Sequence, residues 1–210
     1  MSAEILTITP PSGEFPEIHF GEHFVNPLWI IFVDNDLDNW LGCFSSDYPN
    51  VLNKVLVDST NESAFVVSGG VGYLIDIKNR LLKHKTDDQP LIESAIFTSN
   101  PNYFLAGTFY SIYVFDKEKL IKVVEPDIRV DGIYFKSQTD KKAIGDLATA
   151  QNQYDFNMDF EFDLDTFELT MNQKVIRTDY KVFETVRVVD KDWIEKPNLI
   201  QRLINKLRNK

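Results

Sequence analysis

The chain has 210 residues, of which 43% are apolar and 13% aromatic, and its formal net charge is −10. This composition suffices for a large core and excludes a disordered chain, and no apolar run reaches the roughly 18 residues of a membrane-spanning helix. Such an acidic body repels nucleic acid and anionic membranes and attracts basic proteins, so we expect a basic protein partner, no nucleic acid and no membrane.

Residues 1–15 contain neither the basic segment nor the long apolar segment of a secretion signal. The single cysteine, Cys43, excludes an internal disulfide and a cysteine-rich metal site. Both observations predict a cytoplasmic protein.

Short segments rich in β-branched and aromatic residues follow one another along the chain, each bounded by Ser, Gly, Asn, Asp or Pro. Strands of this length with few helical stretches between them are typical of antiparallel all-β proteins. The predicted strands cover residues 28–33, 64–67, 72–77, 103–106, 111–115 and 131–135.

An internal repeat relates residues 65–83 to residues 104–122 at an offset of 39. Both copies begin with Phe, continue through a turn of small residues into an apolar strand, and end in a polar turn. A fainter third copy is indicated by Phe162 and Phe167, which echo Phe115 and Leu120. Each unit is predicted to be strand, small-residue turn, strand, tight turn and strand.

Residues 104–122 resemble the middle strands of a β-propeller blade, in which small-Gly-x-x-x-Ile-x-Val-x-Asp precedes a tight turn. The resemblance covers residues 60–137, although the chain has neither a Trp-Asp dipeptide nor a Gly-His pair. It implies propeller-like blades in an open or incomplete arrangement, since four blades are the usual minimum for a ring. A twisted meander or sandwich is the alternative.

Three motifs partly match known ion-binding or phosphate-binding patterns. Residues 34–39 imitate the start of a calcium loop, but Asn39 and Ser45 stand where an EF-hand needs Gly and Glu, so we expect a polar turn. His19 and His23 would lie about 13 Å apart on a strand, too far for one metal ion. The glycines at 69–72 precede a β-rich run instead of a helix, which favours a hairpin turn over a phosphate-binding loop.

Residues 154–165, YDFNMDFEFDLD, alternate apolar and acidic or amide side chains. In a strand, residues two apart lie about 6.6–6.8 Å apart on one face, so the polar residues form a line. This line is either a solvated face, for example at a sheet edge, or a docking face for a basic partner. The candidate partner-binding residues are Asp155, Asn157, Asp159, Glu161, Asp163 and Asp165.

The C-terminal 20 residues differ from the rest. They carry six basic and two acidic groups, which leaves −14 on residues 1–190. Leu199, Ile200, Leu203, Ile204 and Leu207 form one apolar stripe at helical spacing. We therefore expect a single β domain at 1–190 and a basic amphipathic helix at 191–210 packed on it.

Two functions follow from these features. The first is a non-catalytic module that presents an acidic β surface to a basic protein; in size, charge and lack of a catalytic motif it resembles immunity proteins, which neutralise toxins. The alternative is a propeller-derived enzyme of the hydrolase type, or a small-ligand binder, with a carboxylate site. The first hypothesis expects no enzymatic activity, no catalytic residue, no metal and no cofactor.

Overall fold

The computed structural model describes residues 1–22, 26–46, 48, 50–149, 157–173 and 186–188, with only the backbone described at 157, 172–173 and 186–188. These ranges contain strands and turns and no helix, so the predicted antiparallel all-β class is confirmed. No helix in this part of the chain is long and apolar enough to cross a membrane. The helix predicted at 191–210 lies outside the described residues, and the division at residue 190 stays a prediction.

Strands follow one another in four sheets along the chain. The first sheet contains β1 (Ser2–Ile5), β2 (Glu17–Phe20), β3 (Leu28–Val33) and β4 (Asn39–Phe44). The second contains β5 (Lys54–Asp58), β6 (Ser63–Ser68), β7 (Val71–Asp76) and β8 (Leu81–Lys85). The third contains β9 (Ile92–Ser99), β10 (Asn102–Thr108), β11 (Ile112–Phe115) and β12 (Leu120–Val124). The fourth contains β13 (Gly132–Thr139), β14 (Lys142–Ala148), β15 (Asn157–Asp163), β16 (Leu169–Gln173) and β17 (Val186–Val188).

The last three sheets are simple meanders in which each strand pairs with the next one in sequence. The first sheet has the order β1-β3-β4-β2, and β2 runs parallel to β4, the only parallel pair within the described residues. The first strands of successive sheets lie side by side, β1 against β5, β5 against β9 and β9 against β13. The four sheets are therefore stacked in the order in which they occur in the sequence.

The predicted repeat is confirmed by the second and third sheets. Residues 65–83 and 104–122 each span the second, third and fourth strands of their meander. The first strand of each sheet, β5 or β9, precedes the repeated segment. Phe65 and Phe104 occupy equivalent positions, and their rings stack with centroids 5.9 Å apart. The small-residue turn at Gly69 and Gly70 has φ values of 57° and 80°, a region that glycine enters without the steric cost of a Cβ atom.

Three apolar clusters lie between the stacked sheets. β6 contributes to two of them: Ala64 and Val66 face the first sheet, whereas Phe65 and Val67 face the third. The cluster between the third and fourth sheets contains Leu105 from β10 with side chains from β14, β15 and β16. Middle strands of the second sheet are therefore apolar at consecutive positions because both of their faces are covered.

Aspartates that end strands hold several of the turns. Asp34 is 5% exposed, and its carboxylate accepts the backbone N–H groups of Asp36 and Asp38 at 2.9 Å each. The polar turn predicted at residues 34–39 is thereby confirmed. Equivalent hydrogen bonds form after Asp58, Asp76, Asp116 and Asp163. The side chain accepts hydrogen bonds from backbone N–H groups two to four residues ahead, which is why aspartate favours such turns.

Candidate functional site

The predicted acidic strand is β15, and its alternation corresponds to two different faces. Phe160 and Phe162 are fully buried in the cluster between the third and fourth sheets. Asp159 and Glu161 lie on the opposite face and are half-buried. β15 pairs with β14 on one side and β16 on the other, so the row lies in the middle of the fourth sheet and not at its edge.

The six candidate binding residues fall into three groups. Asp155 lies outside the described residues, and only the backbone of Asn157 is described, at the start of β15. Asp159 and Glu161 form the part of the row that faces outward, and we call this pair the acid row. Asp163 and Asp165 belong to the turn that follows the strand.

The acid row has charged neighbours on β14. Asp146 lies directly opposite Asp159 in the register, and Lys136 from β13 forms an ion pair with Asp146. Lys142 Nζ lies 2.6 Å from Glu161 Oε2. This hydrogen bond to Glu161 raises the pKa of Lys142. The crowding of carboxylates is therefore partly neutralised within the sheet itself.

Asp163 performs a local structural role. It accepts the backbone N–H groups of Asp165 and Thr166 at 3.0 and 2.9 Å. Desolvation acts to raise the pKa of Asp163, but the hydrogen bonds from Thr166 and Asp165 outweigh it and hold the pKa below its usual value. Asp165 is paired with Lys141, with 2.6 Å between Nζ and Oδ2.

A second feature, missing from the sequence prediction, is a cleft between the second and third sheets. A salt bridge and a ring contact connect the two sheets: Lys83 Nζ lies 3.1 Å from Glu118 Oε2, and the ring centroids of His84 and Phe115 are 5.7 Å apart. A cavity of about 800 Å³, which His84 also lines, lies between β8, β12 and the loops that follow these strands.

Polar groups converge on one side of this cavity. Ser111 is 4% exposed, and its hydroxyl donates to Glu125 Oε1 at 3.4 Å. Burial raises the pKa of Glu125, a shift that this hydrogen bond opposes. Burial and then the negative charges of Asp87 and Glu125 raise the pKa of Tyr113. Two carboxylates and a phenol therefore act on one another in a partly desolvated wall, which is a recognised mark of a binding or catalytic site.

The mouth of the cavity is held by a hydrogen-bonded turn. Thr108 Oγ1 accepts the backbone N–H groups of Tyr110 and Ser111 at 3.2 and 3.0 Å. This fixes Tyr110 at the rim, where its side chain is 56% exposed. Val123 from β12 is 40% exposed on the same lining. The mouth therefore presents an aromatic and an aliphatic surface beside the polar wall.

The remaining candidate chemistry is limited. Cys43 is buried, and burial followed by the charge of Glu17 raises the pKa of its thiol to about 11. A thiol in this state is a poor nucleophile at neutral pH. Within the described ranges, no group of three or more His, Cys, Asp or Glu side chains is arranged to hold a metal ion.

Comparison with known proteins gives a distant likeness in fold. No protein-family model matches the chain, and no curated protein matches it. Among solved structures, hydrazine synthase of Kuenenia stuttgartiensis is similar at 12% sequence identity with a TM-score of 0.40. The match covers 69% of this chain and 51% of the other, so it spans about half the length of that protein.

Proposed function

We propose that the protein is a non-catalytic binding module that presents the acid row of β15 to a basic protein. The observation that supports this best is the place of the row in the sheet. Its carboxylates project from the face opposite the buried Phe160 and Phe162, and β15 is hydrogen-bonded on both sides. A row built in this way keeps its spacing when a partner docks, so little ordering entropy is lost.

A neighbouring carboxylate has hydrogen-bonding capacity left over. Asp146 Oδ1 is buried, and it accepts no hydrogen bond in the part of the chain that the structure describes. Buried acceptors in proteins are nearly always satisfied, by protein groups, water or a ligand. A lysine or arginine of a partner that approaches Asp159 would lie next to this carboxylate, because the two residues are directly opposite in the register.

The lysines that now accompany the row do not prevent docking. Lys136 and Lys142 have side chains that are 56% and 47% exposed. In the pair of Lys142 and Glu161 both side chains are exposed, and such pairs contribute little net stability because solvent competes for both charges. A partner with several fixed basic groups can therefore replace them at low cost, and its on-rate benefits from the negative charge of the whole body.

The fold interpretation that accompanies this proposal is a propeller-derived stack of blades. Four sheets with their first strands side by side, three of them meanders, correspond to blades arranged about a common axis. Between the fourth sheet and the first, the described residues contain no contact as extensive as those between successive sheets. We propose an arrangement that is open at this point, which would make the outward face of the fourth sheet accessible to a partner. A toxin with a basic active site is the class of partner that this face would neutralise.

The test compares two variants of equal charge. Asp159→Asn with Glu161→Gln removes two charges from the row, and Glu4→Gln with Asp36→Asn removes two from exposed positions elsewhere. We expect a basic protein captured by the wild type to bind the control variant equally and the row variant at least tenfold more weakly. Its affinity for the wild type is expected to fall as salt concentration rises.

Equal binding of a captured partner by the row variant and the control would contradict a docking role for this face. Far-ultraviolet circular dichroism and the urea midpoint of each variant establish that any loss of binding is not a loss of folding.

A second candidate function is a small-ligand binder, and the cavity between the second and third sheets favours it. Its volume of about 800 Å³ falls in the range of ligand pockets, and Glu125, Tyr113 and Asp87 supply convergent polar groups. A hydrolase would use two such carboxylates as acid and base. Turnover of a chromogenic glycoside or ester that is lost in Glu125→Gln would favour this candidate over a binding module.

A further inference from the structure

We propose that the cavity between the second and third sheets receives a lysine or arginine side chain of the basic partner. This inference rests on the proposed function in taking the partner to be a basic protein. It adds a second contact site, on a different sheet from the acid row and with a different chemistry. The row offers carboxylates on a sheet face that also carries Lys142, whereas the cavity offers a carboxylate beside tyrosine rings.

The polar wall of the cavity fits a cationic head group. Glu125 is fixed by the hydroxyl of Ser111, which occupies one lone pair of Oε1 and leaves the other oxygen to a ligand. Asp87, in the loop after β8, lines the same cavity. A charged ammonium or guanidinium group placed here would receive hydrogen bonds from carboxylates in a site with less water than the surface, where such bonds are strongest.

An organic cation fits this wall better than a metal ion does. No cluster of three or more potential metal ligands occurs within the described ranges. Tyr110 and Tyr113 line the cavity beside Glu125. Tyrosine rings attract ammonium and guanidinium groups through their negative faces and pack against the aliphatic stem of a lysine or arginine. Carboxylate and aromatic groups together therefore select for a cation that has an apolar stem.

The lysine in the lining is engaged elsewhere. Lys85 Nζ is paired with Asp88 Oδ1 at 3.2 Å and lies 6.0 Å from the centre of the Tyr73 ring. Arg129 is exposed, in the loop beyond Glu125. The cationic head would accordingly occupy the Glu125 side of the cavity, next to Tyr113.

The rim favours a side chain of a polypeptide over a free amine. Tyr110 and Val123 expose apolar surface at the mouth, which a small amine inside the cavity would leave uncovered. β12 is the edge strand of the third sheet, and its outer side has no strand partner among the described residues. An extended backbone lying along this edge would cover the rim and direct one side chain into the cavity.

The test uses defined probes on the full chain. N-acetyl-lysine methylamide and N-acetyl-arginine methylamide are titrated into isotope-labelled protein, with the uncharged N-acetyl-norleucine methylamide as the matched control. We expect the lysine or arginine probe to shift the amide signals of residues 110–113 and 125–129, and the norleucine probe to bind at least tenfold more weakly. Glu125→Gln should weaken the binding of the cationic probe about tenfold or more.

Asp131→Asn is the control variant, because Asp131 is exposed and follows the same loop without lining the cavity. It should bind the cationic probe as the wild type does. Equal binding of the lysine and norleucine probes, or an unchanged affinity in Glu125→Gln, would overturn the inference. Butylammonium binding as tightly as the lysine probe would also overturn it, because the ligand would then be a free amine.

The two proposals fail in distinguishable ways. In one result the acid-row variant loses partner binding and the cavity responds to no cationic probe. This result would contradict the cavity inference and support the proposed docking face. The opposite result is that the lysine probe binds the wild type but not Glu125→Gln, while the acid-row variant binds the partner fully. This result would contradict the proposed docking face and support the proposed cavity site.

Discussion

The second and fourth sheets are both meanders, but their strands differ in the spacing of buried apolar residues. In β7, the adjacent residues Leu74 and Ile75 are both fully buried, one facing the third sheet and the other facing the first. In β15, Phe160 is fully buried while its neighbour Glu161 has a side chain that is 41% exposed. The second sheet is an inner layer of the stack, and the fourth sheet has one outward face at the acid row.

This contrast shows how a hydrophobic pattern reports position in a stack of sheets. A strand that is covered on both faces is apolar at consecutive positions, whereas one covered on a single face alternates. The alternation of residues 154–165 therefore indicates a layer with one packed face. It carries no information about what binds to the other face, because solvation and docking require the same polar side chains.

The largest expected effects come from truncating adjacent residues in the two sheets. Leu74→Ala and Ile75→Ala should each lower the free energy of unfolding by about 2–5 kcal/mol, because each leaves a cavity in a different cluster. Phe160→Ala should cost about 3–5 kcal/mol, whereas Glu161→Ala should change the stability by less than about 1 kcal/mol. Urea unfolding of the four variants measures these differences.

The Glu161→Ala variant serves as the control for Phe160→Ala within one strand. A large loss of stability in Glu161→Ala would mean that the outward face of the fourth sheet is a packed interface in the free protein. A small loss in either Leu74→Ala or Ile75→Ala would mean that the second sheet is covered on one face only.

A smaller effect is expected at the turns, which the two sheets share. Asp76 and Asp163 end equivalent strands and accept backbone N–H groups of the residues that follow. Asp163→Ala should cost about 1–2 kcal/mol through the lost hydrogen bonds, and Asp163→Asn should cost less because the amide oxygen still accepts them. Comparing the urea midpoints of the two variants separates the stability contributed by the turn hydrogen bonds from that contributed by the charge.

The same aspartates make the stability depend on pH. Burial opposes ionisation at both sites, but hydrogen bonds, mainly from Asn79 at Asp76 and from Thr166 and Asp165 at Asp163, lower both pKa values in the folded state. The resulting stability is present above the unfolded pKa of about 4 and is lost as the pH falls through the lower folded values. Below about pH 4, Asp163→Asn should therefore lose less stability than the wild type does. Equal losses in both proteins would contradict the shift at Asp163.

The smallest effect is expected in the acid row itself. Glu161→Gln breaks the ion pair with Lys142 but leaves the strand and its buried face unchanged. Exposed ion pairs contribute little, so the urea midpoint should stay within experimental error of the wild type. A clear gain in stability on raising salt, seen in the wild type and absent in Glu161→Gln, would instead show that repulsion within the row strains the sheet.

Much of the fold was readable from local patterns. β3 was predicted with its observed bounds, and β6, β7, β10 and β11 to within two residues at each end. The offset of 39 correctly paired the second sheet with the third. The strands missed include β5 and β9; extending the two aligned copies toward the N-terminus would have indicated them, since these strands precede the copies and begin 38 residues apart.

The acidic strand could be predicted from the sequence, whereas the cavity could not. Alternation over residues 154–165 identified β15 directly, because the period of a strand is a local property. Glu125 was missed because it follows an ordinary apolar strand. A signal was nevertheless present: the loops after β8 and β12 both combine acids with proline, TDDQP and EPD, at corresponding positions of the repeat.

The sequence by itself determined the class of the protein, most of its inner strands, the turn aspartates and the acidic alternation, because each depends on residues near one another in the chain. Only the tertiary structure decided that β15 lies inside a sheet and that Lys142 accompanies Glu161. It alone brought Asp87, Ser111, Tyr113 and Glu125 to one cavity. These residues come from two sheets, and their proximity results from packing between layers, which no local pattern encodes.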